Sequence, residues 1–105
     1  MAKQTSKSIA QVKINCQTYS IRASIHAIER MQQRNVDEYV VVGNVIALGP
    51  ERLLEYQSKE ADVMILDEAK KVAIVFAFNG NKVMIVTVID KADCYAKRGT
   101  EVVKL

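Results

Sequence analysis

Two apolar segments on either side of a tight turn constrain the fold of this chain more than any other feature. The segments are residues 72–78 and 83–89, and the turn between them reads Asn79-Gly80-Asn81-Lys82. Asn-Gly sequences favour the backbone angles of two-residue hairpin turns, so the pattern predicts an antiparallel β-hairpin. Alternation along the strands then places one set of side chains on a common face: Val72, Ile74, Phe76 and Phe78 with Val83, Ile85, Thr87 and Ile89.

The opposite face of this hairpin is equally apolar. It carries Ala73, Val75, Ala77, Met84, Val86 and Val88. Strands that are apolar on both faces are typical of the centre of a sheet that is covered on both sides. Because a single helical pair covers only one face, we expect the chain to form a homodimer through the other.

Helices are expected before the hairpin and further strands around it. Ser24 suits the N-cap of a helix that runs to about Arg34, and Asn35 suits a left-handed C-terminal cap. Asp37 can cap a second helix over residues 38–44, although the β-branched run at 39–42 is equally typical of a buried strand. Strands are expected at residues 12–16, 53–57 and 63–66, and Val102-Val103 could add an edge strand.

These elements predict an α+β domain. One or two N-terminal helices would pack on an antiparallel sheet of about four strands. Residues 1–10 are polar and basic and are expected to form a flexible arm, and residues 11–105 a single domain.

Composition limits the classes of function. The chain has 105 residues, half of them hydrophobic, a net charge of +3 and no apolar run of the ~20 residues that cross a bilayer. We expect a cytoplasmic protein that does not enter membranes, and its charge allows RNA or an acidic protein as partner. Cys16 and Cys94 lack the spacing of metal ligands and are expected to be buried thiols, so no metal or cofactor is predicted.

The only histidine begins a regular series with two arginines: His26, Arg30 and Arg34 lie at intervals of four. On a helix the three fall within an arc of about 80°. Guanidinium groups match phosphate geometry, and histidine is the usual acid or base near neutral pH, so the series could form a phosphate site. The alternative is the charged outer face of an ordinary amphipathic helix.

Residues 26–34, His-Ala-Ile-Glu-Arg-Met-Gln-Gln-Arg, and residues 85–88, Ile-Val-Thr-Val, resemble a family of small bacterial and phage domains of unknown function. Its members have an early His-Ala-x-x-Arg-Met-x-x-Arg helix and a late strand with the pattern Ile-x-Thr or Val-x-Thr. The family is usually grouped with the barnase, EndoU, colicin and RelE-like ribonucleases and with the toxins of toxin–antitoxin systems. The resemblance spans about residues 19–90 and implies a RelE/barnase-like fold. The chain departs from the pattern at Asn35, where Gly is common, and in a second helix that is poorer in Glu.

The resemblance implies a metal-independent endoribonuclease or toxin-like RNA-cleaving protein. His26 would act as base or acid, Arg30 would hold the reacting phosphate, and Thr87 would orient a phosphate oxygen or the imidazole. Arg34 would bind a neighbouring phosphate of the RNA. An acid–base partner for His26 is still needed, and the candidates are Glu55, Tyr56 and Tyr95.

The alternative is a non-catalytic protein-binding module: an immunity protein, an antitoxin partner or a phage-encoded inhibitor of host defence. Its partner would be a cognate antitoxin, a toxin or a host factor. Convergence of His26, Arg30 and Thr87 in a cleft would favour the enzyme, and their dispersal would favour the binding module.

Overall fold

A mixed β-sheet with helices on one side forms the framework of the protein. The computed structural model describes residues 6–14, 16–80, 82–89 and 100–104, and of Ile14 only the backbone. Within these residues there are six strands and three helices. In chain order they are β1 (Ser6–Ile14), β2 (Gln17–Ser24), α1 (Ile25–Gln33), α2 (Glu38–Ala47), α3 (Pro50–Lys59), β3 (Val63–Asp67), β4 (Val72–Asn79), β5 (Lys82–Ile89) and β6 (Glu101–Lys104).

The strands lie in the order β1-β2-β5-β4-β3-β6. The pairs β1–β2, β4–β5 and β3–β4 are antiparallel, whereas β2–β5 and β3–β6 are parallel. The predicted packing of N-terminal helices on about four antiparallel strands is therefore wrong. The first two elements of the described part are the antiparallel strands β1 and β2, and the sheet there is mixed and six-stranded. Parallel pairs join segments that are far apart in the chain, so no local turn sequence predicts them.

The start of the chain also differs from a simple arm. Residues 6–10, which were expected to be flexible, form the first half of β1 and pair with β2. Residues 1–5 lie outside the described residues. In β2, Tyr19, Ile21 and Ala23 are buried while the side chains between them are only partly so, which gives the strand one face in the core.

The central hairpin is confirmed as β4 and β5, with Asn79 opposite Lys82 as a two-residue loop requires. The prediction of which side chains share a face of this hairpin is wrong for the residues that follow Ile85. Phe76 pairs with Ile85 but Val75 pairs with Thr87, so Val86 is an extra residue in a β-bulge. The bulge reverses the alternation, and Thr87 and Ile89 therefore share a face with Val75 rather than with Phe76.

The first two helices begin where their caps predict. The Ala27 N–H donates to Ser24 Oγ at 3.0 Å, and the Tyr39 N–H donates to Asp37 Oδ1 at 2.9 Å. Asn35 has a φ of 53°, the left-handed conformation expected after α1. The strand alternative for residues 39–42 is wrong, since they lie in α2.

The third helix occupies residues that were predicted as a strand. Residues 53–57 lie within α3, which begins with Pro50 in its first turn after Gly49 at a φ of 85°. Proline is well suited to the first helical position because its missing N–H needs no partner there. Leu53 and Tyr56, three residues apart, are the buried side chains of this helix, which is a helical rather than a strand period.

The main core lies between the helices and one face of the sheet, here called the first face. Tyr19, Phe76, Ile21, Leu53, Ile65, Ile74 and Ile85 are its largest fully buried side chains. The opposite side of the sheet, the second face, carries a smaller cluster in which Met64, Leu66 and Ala73 are buried. Predicted strands at β3 and β6 are confirmed, with β6 at the edge of the sheet.

Candidate functional site

Helix α1 is fastened at both ends to strand β5. The Ser24 hydroxyl donates to the Val86 carbonyl at 3.1 Å, and Arg34 Nη1 donates to the Val88 carbonyl at 2.7 Å. The parallel pairing of β2 with β5 stops at Ile85, so these two carbonyls lie beyond the neighbouring strand. The side chains of the two cap residues of α1 take the place of a pairing strand, and they fix the helix relative to the sheet.

His26 and Arg30 lie on successive turns of this fixed helix. His26, the second residue of α1, is exposed, and Arg30 is half-buried. Arg30 Nη1 donates to Gln33 Oε1 at 3.2 Å, along the helix and away from the N-terminus. No hydrogen bond to another described residue holds the imidazole. The structure therefore leaves His26 accessible to a ligand beside a guanidinium one turn away.

Arg34 lies at the C-cap of α1 and lines a cleft rich in cationic side chains. The cleft has a volume of about 320 Å³ and is formed by Arg34, Asn35, Val36, Asp37, Val40, Lys70, Lys71 and Val72. It lies where the α1–α2 connection meets the turn between β3 and β4. The arginine predicted to bind RNA is therefore grouped with two lysines.

Lys70 and Lys71 reach this cleft because of the turn that joins β3 to β4. Buried Asp67 accepts the Lys70 N–H at 3.2 Å, and Lys71 adopts a φ of 55°. Sequence reasoning gave these lysines no functional role. The Lys-Lys pair was the available signal, but only the tertiary fold places it beside Arg34.

Thr87 is not grouped with the other predicted site residues. It is half-buried on the second face and lines a cavity of about 260 Å³ with Asp62, Met64, Val75, Val86, Ile89 and Thr100. No residue of α1 lines that cavity. The carbonyl of the preceding residue, Val86, accepts the hydrogen bond from Ser24, so the start of α1 lies beside the bulge. The Thr87 side chain, in contrast, lines the cavity on the second face.

The candidate partners of His26 on α3 are engaged elsewhere. Tyr56 is 9% exposed within the main core, and Glu55 binds Lys59 at 3.1 Å. The hydrogen bond to Glu55, with the charges of Glu55 and Glu101, raises the pKa of Lys59. Tyr95 lies outside the described residues.

Helix α3 is also tied to the end of β5 that lies away from His26. The Gln57 amide donates to the Gly80 carbonyl at 2.7 Å, whereas α1 binds β5 at Val86 and Val88. From Lys82, the first residue of β5, the strand rises about 13 Å to Val86, and Gly80 lies in the turn before it. Neither Glu55 nor Tyr56 is thus placed to exchange a proton with His26.

Cysteine and acidic side chains form no evident metal centre in the described ranges. Those ranges contain no group of three or more His, Cys, Asp or Glu residues that could hold a metal ion. Cys16 is exposed in the turn after β1, so its predicted burial is wrong, and Cys94 lies outside the described residues.

Comparison with known proteins leaves the resemblance of the helix and strand motifs as a prediction. No family model matches the chain, and no curated protein or solved structure matches it. The helices that the structure describes are all too short or too polar to cross a membrane. The fold and the site thus define a small α+β domain with an accessible histidine and a cationic cleft on its helical side.

Proposed function

We propose that the protein is a metal-independent ribonuclease whose reactive centre is formed by His26 and Arg30. The observation that supports this most is the exposed imidazole one turn from a guanidinium, on a helix fixed at both ends to β5. A helix held in this way keeps the backbone positions of the two residues one turn apart, so both side chains can reach the same phosphate.

The reaction would follow the usual course of RNA cleavage without a metal. The 2′-hydroxyl oxygen bonds to the adjacent phosphorus while the bond from phosphorus to the 5′-oxygen breaks. The products are a 2′,3′-cyclic phosphate and a 5′-hydroxyl. His26 takes the proton from the 2′-hydroxyl or gives one to the departing oxygen, and Arg30 stabilises the charge that builds on the phosphate. The complementary proton is exchanged with water, which the exposure of His26 permits.

Incubation of the purified protein with total RNA in EDTA tests this function. We expect cleavage that persists in EDTA, leaves cyclic phosphate ends and spares DNA, which lacks the attacking hydroxyl. Arg30→Ala should lower the rate by ~10²-fold or more, as does removal of one such charge-stabilising group in other enzymes.

His26→Ala should lower the rate, because it removes the group that takes or gives the proton. Gln32→Ala is a suitable control, because Gln32 is an exposed residue of the same helix. Intact RNA with the wild type, or equal cleavage by wild type and His26→Ala, would contradict the proposal.

A second candidate function is supported by the separation of Thr87 from His26. The second face also exposes two large apolar side chains, Val86 at 43% and Val102 at 48%. Exposed apolar groups on a sheet are typical of protein-binding surfaces when they are contiguous. In this case the chain would be a non-catalytic module that binds a toxin, an antitoxin or a host factor.

Capture of a partner from host lysate can separate the two functions. A Val86→Lys, Val102→Lys variant should lose a partner bound at the second face, whereas His26→Ala should retain it. Loss of the partner with His26→Ala instead would point to the helical side and contradict binding through the second face.

A further inference from the structure

The part of the second face that is formed by β1, β2 and the start of β5 is polar. In β2 the side chains of Tyr19, Ile21 and Ala23 enter the main core, so the residues between them face the opposite side. Directly paired residues of neighbouring strands lie on the same side of a sheet, which extends this area into β1, β5 and the end of β4. A group of polar residues in this area is here called the polar surface: Ser8, Gln11, Lys13, Thr18, Ser20, Arg22, Asn79 and Lys82.

Positive charge accumulates on the polar surface. Lys13, Arg22 and Lys82 carry it, and no member of the surface is acidic, so its formal charge is +3. Lys13 and Lys82 are exposed, and neither makes an ion pair with another described residue. The other members have hydroxyl or amide side chains, which also donate hydrogen bonds. Such a surface attracts an anionic ligand, in contrast to the apolar cluster around Met64.

Arg22 is held in place on this surface without losing its charge. Its Nε donates to Ser6 Oγ at 2.9 Å, and its Nη2 donates to the Ser6 carbonyl at 3.1 Å. Both acceptors are uncharged. A guanidinium has five N–H donors, so three of them have no partner in the described part of the chain. Because the side chain is already fixed, little freedom is lost when an anion binds to the remaining donors.

The three cations are spaced regularly along β2. Lys13 pairs with Thr18 on one side of this strand, and Lys82 pairs with Ser20 on the other side. Arg22 itself is the next residue of β2 on the same face. The cations therefore lie in three successive rows, each about 7 Å further along the strand. A series of this kind fits a polymer with repeated negative charges better than a single small anion.

The rows of cations lead towards the start of α1. Strand β2 ends at Ser24, the N-cap of α1, and the exposed His26 follows two residues later. Arg22, in the last of the three rows, is therefore the cation of the polar surface that is nearest in the chain to the imidazole.

We propose, resting on the RNA-directed function above, that the polar surface binds the phosphate backbone of single-stranded RNA and leads the strand to His26. Arginine, lysine, serine, asparagine and glutamine side chains all make phosphate contacts in nucleic-acid complexes, and the surface consists largely of these residue types. It contains no aromatic side chain on which a base could stack, so the binding depends on the backbone rather than on the base sequence.

Binding can be measured apart from cleavage with a short 2′-O-methyl oligouridylate, in which the attacking hydroxyl is blocked. The test variant is Lys13→Gln, Lys82→Gln, which removes two exposed cations that make no described contact. The matched control is Lys7→Gln, Lys104→Gln. Lys7 is exposed on the other side of β1, opposite the buried Ala23, and Lys104 is exposed on the far edge strand β6. Fluorescence anisotropy gives the dissociation constant of each protein between about 50 and about 200 mM salt.

The test variant should weaken binding about tenfold near physiological salt. It should also lower the slope of log affinity against log salt by about 1.4, which is about 0.7 for each lost phosphate contact on a single strand. The control should leave the slope close to that of the wild type. Equal effects of the two double variants would show that only net charge matters and would overturn the proposal, as would a wild type that does not bind the oligonucleotide.

Inorganic phosphate provides a further arm of the experiment. The wild type should bind it far more weakly than the oligonucleotide, because a free phosphate cannot span the three rows of cations. Equal affinity would assign the surface to a free anion and overturn the RNA assignment. If the oligonucleotide binds through Lys13 and Lys82 while RNA stays intact, the binding surface stands and the proposed cleavage fails. If RNA is cleaved but the test variant binds as the wild type does, the binding surface fails alone.

Discussion

Replacement of Arg34 by alanine should destabilise the protein, in addition to any effect on RNA. The side chain donates a hydrogen bond of 2.7 Å to the carbonyl of Val88, a residue that is fully buried at the end of β5. Among the described residues, no strand pairs with this carbonyl on the α1 side, because the β2–β5 pairing stops at Ile85. The substitution therefore removes a charged donor and leaves a backbone acceptor without that partner.

The size of the effect follows from the type of hydrogen bond. Bonds to charged groups contribute about 1.5–3 kcal/mol, so we expect a loss of about 2 kcal/mol in the free energy of unfolding. The entropy of unfolding is about 2.1 cal/mol/K per residue, which for 105 residues makes about 0.22 kcal/mol/K. The melting temperature should accordingly fall by about 9 °C.

Arg30→Ala is the matched control for this measurement. It removes the same type of side chain from the preceding turn of α1, where the guanidinium of Arg30 donates to the exposed Gln33 side chain at 3.2 Å. Its loss should cost about 0.5 kcal/mol or less, or about 2 °C. Thermal unfolding followed by circular dichroism at one protein concentration compares the two variants. Equal melting temperatures for Arg30→Ala and Arg34→Ala would refute the structural contribution of the Val88 bond.

Three further predictions concern stability and assembly. Ser24→Ala should cost about 1–2 kcal/mol in urea unfolding, because it removes both the cap of α1 and the bond to the sheet; an unchanged midpoint would contradict this. The pKa of Lys59 is raised in the folded protein, so the contacts of its ammonium group stabilise the fold fully at pH values below about 10.5. This stabilisation is lost as the pH rises through the raised pKa. The stability difference between the wild type and Glu55→Gln should therefore shrink in alkali, and a constant difference would count against the pair. The second face should mediate self-association that Val86→Lys reduces, and light scattering that gives a monomer mass at all concentrations would exclude it.

Local signals explain the parts of the fold that could be predicted from sequence. The Asn-Gly turn, Ser24 and Asp37 act on residues within a few positions, and they correctly predicted the central hairpin and the starts of α1 and α2. The wrong predictions concern either contacts between residues far apart in the chain or segments that carry two competing local signals. Residues 53–57 were predicted as a strand although Pro50 and its preceding glycine are typical of a helix start.

The bulge at Val86 shows why residue alternation alone could not predict the site. A single extra residue in β5 reverses the faces of every side chain that follows it. Thr87, predicted to share a face with Ile85, consequently lies on the second face. Lys70 and Lys71 were missed for the opposite reason, since they are ordinary turn residues until the tertiary fold brings them beside Arg34.

The fold engages His26, Arg30 and the C-cap residue Arg34 to different degrees, and this difference allows a catalytic role to be distinguished from a structural one. Arg34 is bonded to the sheet, Arg30 to a neighbour on its own helix, and His26 to no described side chain or backbone group. Loss of stability on substitution by alanine should therefore fall in the order Arg34, Arg30, His26. If the helix is catalytic, loss of kcat on RNA, measured well below the melting temperature of each variant, should be largest for His26 and Arg30. Losses of activity that follow the same order as losses of stability would instead assign this helix a purely structural role.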